Sequence, residues 1–144
     1  MGPIRIETMK DKLSRLNETI NFIEDILEKD KRSDKELIED KTVYYAIQHM
    51  MQICIEIILD VGGHILAEEF KISSSDYKSI IKNLGDKGII EKDFAEAQEK
   101  MASFRNVLVH DYDKIDDLQT IFYAREAPVI FRKFGEAFLK AIKR

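Results

Sequence analysis

The sequence contains few residues that favour turns or covalent cross-links. It has two prolines and six glycines among 144 residues, below the usual shares of roughly 5% and 7%. That scarcity argues against a turn-rich β sandwich and against a disordered chain. The single cysteine, Cys54, excludes an internal disulfide and cannot build a zinc site alone. Because 44% of the residues are hydrophobic, the chain can form a sizeable core, and we predict a single domain over residues 1–144.

The sequence also lacks signals for export, membrane insertion or broad binding to nucleic acids. No apolar run approaches the roughly 20 residues that cross a bilayer, and no signal-peptide pattern opens the chain. We therefore expect a cytoplasmic protein with no membrane contact. The 23 basic and 27 acidic residues give a net charge of −4. This balance excludes a broad basic surface, but it leaves room for a local phosphate site.

What the sequence does contain is helical periodicity. Apolar residues spaced alternately by three and four run from Ile6 to Leu27, as on the buried seam of an amphipathic helix. Ser33 and Glu36 then form a capping-box pattern, which predicts that a second, longer helix begins there. That helix is apolar nearly all round over residues 43–61, so we expect it to lie at the centre of a bundle.

Three further helical segments follow. The pattern predicts a short helix over residues 77–84, an amphipathic helix over 94–108, and a final helix from about 117 to 142. Pro128 should kink or split the final helix. Its core candidates are Ile121, Phe122, Ile130, Phe131, Phe134 and Phe138. Because short connections favour antiparallel neighbours, the predicted fold class is all-α, an antiparallel four-helix bundle plus one short helix.

Polar residues suited to chemistry cluster at the end of the segment over 94–108. On a helical wheel, Phe104 and Leu108 lie on the core stripe. Arg105, Asn106 and His110 fall on surface-facing positions. Such residues at a helix C-terminus can simply bind the last carbonyl groups and complement the helix dipole. The spacing alone therefore leaves a structural and a functional interpretation open.

The distance between the arginine and the histidine favours a site that involves more than one regular helix. Arg105 and His110 are five residues apart, about 140° around a helix. They converge only if the helix unwinds near His110 or if a second copy of the chain completes the site. Ala102, Ser103 and Val109 add small or apolar side chains on the same side, which suggests contact with another subunit.

Residues 105–112, with the sequence RNVLVHDY, resemble the Arg-x4-His-x-Tyr motif of the HEPN superfamily, in particular of HepT-like ribonuclease toxins. The order of the predicted helices resembles that family over almost the whole chain. The resemblance implies a metal-independent endoribonuclease without a cofactor, acting as the toxin of a toxin–antitoxin pair. It also implies a homodimer in which two motifs face each other across a cleft.

The resemblance further implies a partner and a role for each motif residue. The partner would be an MntA-like minimal nucleotidyltransferase antitoxin, which silences the toxin by transferring AMP onto Tyr112. In RNA cleavage by 2′-hydroxyl attack, His110 can accept or donate a proton near neutral pH. Arg105 can present two donors to the phosphate and stabilise the developing charge, and Asn106 would orient His110 or the phosphate. Alternatively, Tyr112 is an aromatic residue packed over the helix end.

The central helix carries a second set of candidates. Polar residues recur on it at every fourth position: Gln48, Gln52, Glu56 and Asp60. Such a stripe forms either the solvent edge of the helix or the wall of a functional cleft. In the second case, Glu56 would contact the motif residues and help to hold them in position. His49, Cys54 and His64 show no recognisable metal spacing, so no metal site is predicted.

A non-catalytic protein of the same fold remains the alternative to the toxin. It would be a HEPN helical module that dimerises and binds a nucleotidyltransferase or a nucleotide, with the motif as a relic or a phosphate-binding spot. Expression without the partner separates the two hypotheses, because a toxin should arrest the growth of the host and a binding module should not.

Overall fold

The computed structural model describes residues 3–74 and 76–143, and no strand occurs within them. The helices are α1 Pro3–Lys29, α2 Asp34–Glu39, α3 Lys41–Phe70, α4 Tyr77–Asp86, α5 Lys92–Gln98, α6 Lys100–His110 and α7 Asp117–Ile142. A 3-10 turn over Tyr112–Lys114 joins the last two. The all-α prediction is confirmed, and the final helix has the predicted bounds.

Ion pairs show that α1 and α3 run in opposite directions. Arg5, near the start of α1, pairs with Glu68 near the end of α3. About two turns further along α1, Lys12 pairs with Asp60. The contact partners therefore move towards the start of α3 as α1 proceeds, which is the antiparallel arrangement predicted for a bundle.

Aromatic contacts show the same relation for the second half of the chain. Phe94 of α5 packs on Phe134 of α7, with ring centroids 5.0 Å apart. Phe104 of α6 packs on Tyr123, with centroids 4.8 Å apart. The segment formed by α5 and α6 is therefore antiparallel to α7, and these tilted ring contacts hold the motif helix against the core.

The helix α3 is the centre of the bundle, as its nearly continuous apolar sequence predicts. It contacts α1, α2, α4, α6 and α7. Its fully buried side chains include Ile47, Met51, Cys54, Ile55, Ile58, Val61, Ile65 and Leu66. By length and composition, α3 is also the one helix among the described residues that could cross a membrane, and half of its most apolar window is buried inside the protein. That is weak evidence for a membrane span, because the core helix of a soluble protein meets the same criterion.

Two predicted helices are each divided by a single residue. The capping box at Ser33 is present, with Ser33 Oγ accepting from the Glu36 backbone N–H at 3.2 Å. The helix it starts nevertheless ends after six residues, so the prediction of one long helix from Ser33 is wrong. Asp40 leaves the helical conformation, with φ −81° and ψ 92°, and its carboxylate accepts from the Val43 N–H at 3.4 Å. Asp40 thus starts a new helix because its side chain competes for backbone N–H groups.

The motif segment over 94–108 and the final helix also differ from the predictions. The motif segment is divided at Glu99. The Glu99 N–H donates to the Glu96 carbonyl, three residues earlier, in place of the carbonyl four residues earlier. Pro128 does not split α7, which stays continuous through it. The core assignment of Phe122 is wrong, since this side chain is 59% exposed. It follows the buried Ile121 by one residue, about 100° around the helix, and so faces solvent.

Candidate active site

The motif stands at the point where α6 ends and the chain turns. The Asp111 N–H donates to the Val107 carbonyl at 3.1 Å, which closes the last helical turn. Lys114 N–H then donates to the Asp111 carbonyl at 2.8 Å within the 3-10 turn. His110 is therefore the last helical residue, beside the carbonyl groups that carry the negative end of the helix dipole.

Arg105 is largely buried, so its predicted surface-facing position is wrong. The side chain is 15% exposed, because α6 packs against both α3 and α4 and these helices cover that side. A helical wheel represents a single helix, so it contains no information about burial by neighbouring helices. The guanidinium is thereby held within the fold instead of moving freely in solvent.

Three side chains surround the Arg105 guanidinium. Its Nη2 lies 3.4 Å from Glu56 Oε1, and its Nη1 lies 3.4 Å from Asn106 Oδ1. Its Cζ lies 4.7 Å from the centroid of the Tyr77 ring, within the range of a cation–π contact. Both polar contacts are longer than a strong charge-assisted hydrogen bond, which is about 2.7–2.9 Å. Within the described residues, the buried Nε has no hydrogen-bond partner.

The structure thus brings Glu56 to Arg105 from a distant part of the sequence. Glu56 Oε1 also accepts from Gln52 Nε2 at 3.3 Å, one turn earlier on α3. This stretch of the polar stripe therefore faces the motif helix. The contact is the geometry expected of a supporting residue, and that role for Glu56 stays a prediction.

Tyr77 is the neighbour of the motif that sequence reasoning missed. It opens α4, where the Asp76 carboxylate caps the helix by accepting from the Ser79 N–H at 2.8 Å. The ring is 37% exposed, with the guanidinium of Arg105 over it. No spacing in the sequence relates Tyr77 to Arg105, because only the packing of α4 on α6 brings them together.

The remaining motif residues lie in solvent. Asn106 and His110 are exposed, and His110 makes no hydrogen bond or ion pair in the described part of the chain. Tyr112 is 70% exposed, so the structure does not show a ring packed over the helix end. Ala102, placed by the sequence on a subunit contact, is instead buried at 3% exposure. The described contacts join Arg105 to Asn106 but not to His110.

An open groove adjoins Arg105. It has a volume of about 880 Å³, with α3 as its floor, α1 as one wall, and α4 and α6 as the other. Arg105 and Glu56 line it, whereas His110 and Tyr112 do not. Within residues 3–74 and 76–143, no group of three or more His, Cys, Asp or Glu side chains could hold a metal ion.

The profile of the HepT-like ribonuclease family matches residues 16–133. The chain belongs to this family. A protein of Archaeoglobus fulgidus named "Putative RNase" is 28% identical over 124 residues, which cover 83% of this chain and 87% of that protein. A protein of Methanocaldococcus jannaschii, also named a putative RNase, is 33% identical over 75 residues, which cover 52% of this chain and 82% of that protein.

Solved structures share the HepT-like fold of this chain. A tri-AMPylated HEPN toxin of Shewanella oneidensis in complex with MNT antitoxin superposes with a TM-score of 0.74 at 18% identity, covering 95% of this chain and 97% of that one. The cytosolic protein YutE of Bacillus subtilis, of unknown function, superposes with a TM-score of 0.75 at 16% identity, covering 93% and 87%. At such low identity, these similarities establish the arrangement of helices.

Proposed function

We propose that this HepT-like protein is a metal-independent endoribonuclease and the toxin of a toxin–antitoxin pair. The observation that carries the proposal is the Arg105 guanidinium, held between Glu56 and Tyr77, with a buried Nε that has no hydrogen-bond partner among the residues the structure describes. Such a guanidinium has N–H groups to spare for a phosphate. The family of the chain and the names of its archaeal relatives support RNA as the substrate.

The proposed reaction is an internal transfer within RNA. The 2′-oxygen forms a bond to the adjacent phosphorus, the bond from phosphorus to the 5′-oxygen breaks, and a 2′,3′-cyclic phosphate results. One proton leaves the 2′-hydroxyl and one joins the departing 5′-oxygen. His110 is exposed and can perform one of these transfers. Arg105 stabilises the charge that develops on the phosphoryl oxygens, and Asn106 orients His110 or the phosphate.

A homodimer completes this proposed site. Arg105 opens into the groove beside α3, while His110 lies at the end of α6 and lines no part of that groove. The two positions are separated by about 140° around the helix. In a homodimer with two motifs facing each other, a second copy supplies the missing proton donor or acceptor to each scissile phosphate.

The proposed antitoxin is an MntA-like minimal nucleotidyltransferase that modifies Tyr112. The Tyr112 oxygen attacks the α-phosphorus of ATP, its proton leaves, and pyrophosphate departs. The exposure of this ring gives the enzyme access, and the AMPylated toxin of similar fold supports the chemistry. The attached AMP adds bulk and negative charge two residues from His110, which hinders the approach of RNA. Such a pair acts on RNA in the cytoplasm, where we place this protein.

A cleavage assay in buffer with EDTA tests the catalytic assignment. The parent protein should cut single-stranded RNA and leave 2′,3′-cyclic phosphate ends, whereas Arg105→Ala and His110→Ala should each cut at least about a hundredfold more slowly. Arg125→Ala is the matched control, because Arg125 pairs with Asp34 on a different surface. If the motif variants cut as fast as the parent, the assignment is wrong, and harmless expression without the antitoxin would favour the binding module.

A further inference from the structure

The groove beside Arg105 is larger than one phosphate requires. Its volume of about 880 Å³ lies at the upper end of the range for small-molecule sites, about 300–1,000 Å³. Much of its lining is apolar, from Ile53, Ile57, Leu59, Gly63, Ala67 and Ile80. An apolar floor next to an arginine that can bind a phosphate suits the flat face of a nucleobase.

Among the described residues that line the groove, one arginine has no acidic partner. Lys12 pairs with Asp60 across the floor, and Arg105 contacts Glu56. Arg15, exposed on the α1 wall, has no ion pair or side-chain hydrogen bond within the described chain. In a protein with a net charge of −4, the groove therefore carries a surplus positive charge opposite Arg105, which favours a phosphate.

Tyr77 contributes an aromatic edge on the α4 wall. The guanidinium of Arg105 covers part of the ring, and the ring stays 37% exposed. Single-stranded RNA is held by this combination of stacked bases and arginine side chains along the backbone. The groove offers both elements together with its apolar floor.

We propose that this groove binds the single-stranded RNA segment that adjoins the scissile phosphate. One nucleobase lies against Tyr77 and the apolar floor, and the neighbouring phosphate contacts Arg15 on the α1 wall. The inference rests on the proposed function only for the position of the scissile phosphate at Arg105. It extends the substrate contacts beyond the motif to α1 and α4.

Binding is measured without cleavage, in the His110→Ala background. A fluorescein-labelled 12-nucleotide RNA is titrated with protein, and anisotropy gives the Kd at several salt concentrations. Adding Arg15→Ala should raise the Kd roughly threefold to tenfold and reduce the salt slope by about 0.7, the contribution of one phosphate of a single strand. Adding Ala67→Glu, which places a negative charge on the groove, should raise the Kd at least about fivefold.

Each groove variant has a control that makes the same change of charge outside the groove. Lys10→Ala removes a positive charge from α1 outside the groove, and Ala97→Glu adds a negative charge on the exposed face of α5. Both should leave the Kd and the salt slope close to those of the His110→Ala protein. If the two groove variants match these controls, the inference is wrong.

Free AMP as a competitor separates an RNA strand from a mononucleotide. The labelled RNA should remain bound at AMP concentrations that saturate a site for a single nucleotide, because the strand also contacts Arg105. Displacement by AMP with the same dependence on Arg15 would overturn the RNA assignment. Failure of the proposed function gives a different result. If the parent does not cleave RNA but its RNA binding still depends on Arg15 and Ala67, the groove binds RNA and the catalytic assignment is wrong.

Discussion

Replacing Tyr77 by leucine removes the ring face beneath Arg105 while keeping an apolar side chain in the helix. The guanidinium of Arg105 lies over the Tyr77 ring, with Cζ 4.7 Å from the ring centroid, within the range of a cation–π contact. The two hydrogen bonds of Arg105, to Glu56 and Asn106, are both long at 3.4 Å. Tyr77→Leu should therefore release the guanidinium from its present orientation.

The burial of the arginine sets the expected magnitude. Cation–π contacts contribute about 0.5–1 kcal/mol at exposed sites and about 2 kcal/mol when desolvated. With the Arg105 side chain 15% exposed, we expect about 1–2 kcal/mol, or a cleavage rate roughly fivefold to thirtyfold lower. Tyr77→Phe keeps the ring face and should cleave at close to the parent rate. This conservative rescue separates the ring contact from the hydroxyl group.

Single-turnover cleavage of a labelled RNA, at protein concentrations above saturation, measures the rate of the chemical step. Thermal unfolding of each variant provides the control for stability, and Tyr77 is exposed enough that neither substitution should unfold the protein. Equal single-turnover rates for the leucine variant, the phenylalanine variant and the parent would show that the ring does not position Arg105. If the variant instead needs only a higher protein concentration to reach half of the parent's maximal single-turnover rate, the ring contributes to substrate binding and not to the orientation of Arg105.

Three further predictions concern Glu56, Tyr112 and the junction between α1 and α2. Glu56→Gln keeps an acceptor for Arg105 and should cleave within about threefold of the parent, whereas Glu56→Leu should be slower by up to about tenfold in the same single-turnover assay. Tyr112→Phe should retain cleavage and gain no AMP when incubated with the nucleotidyltransferase and ATP, which intact mass measures; incorporation of AMP into this variant would refute the assignment. At the junction, the Arg32 side chain holds the pKa of Asp30 at about 2, so this carboxylate stabilises the fold above its unfolded pKa near 3.8 and the contribution disappears as the pH falls towards 2. Urea unfolding between pH 5 and 2 should show a weaker pH dependence in Arg32→Ala than in the parent, and identical curves would contradict that reasoning.

Local sequence patterns predicted the helices well because each pattern acts within one element. The seam from Ile6 to Leu27 is mostly buried in α1, and the capping box at Ser33 is present. The final helix begins and ends where its apolar pattern does. The patterns did not predict that the Asp40 carboxylate competes for a backbone N–H group. By accepting from the Val43 N–H, it ends α2 and starts α3.

The site shows the same division between local and non-local information. The motif marks the end of one helix, and the spacing correctly indicates that Arg105 and His110 do not share a face. Burial of Arg105 depends on α3 and α4, which are remote in sequence, so the wheel placed it wrongly at the surface. Tyr77 could be found only from packing, because aromatic residues at helix starts carry no specific signal for a cation.

The two sides of α3 have different neighbours in the fold. Its inward residues, such as Ile55 and Ile58, are fully buried and hold the bundle together, so most substitutions there cost stability. Its outward residues, such as Glu56 and Ala67, line the groove and bear little of the core. If the groove binds RNA as proposed, substitutions on the outward side should alter substrate preference without unfolding the protein. Under that proposal, one core of buried residues is compatible with grooves that prefer different RNA sequences.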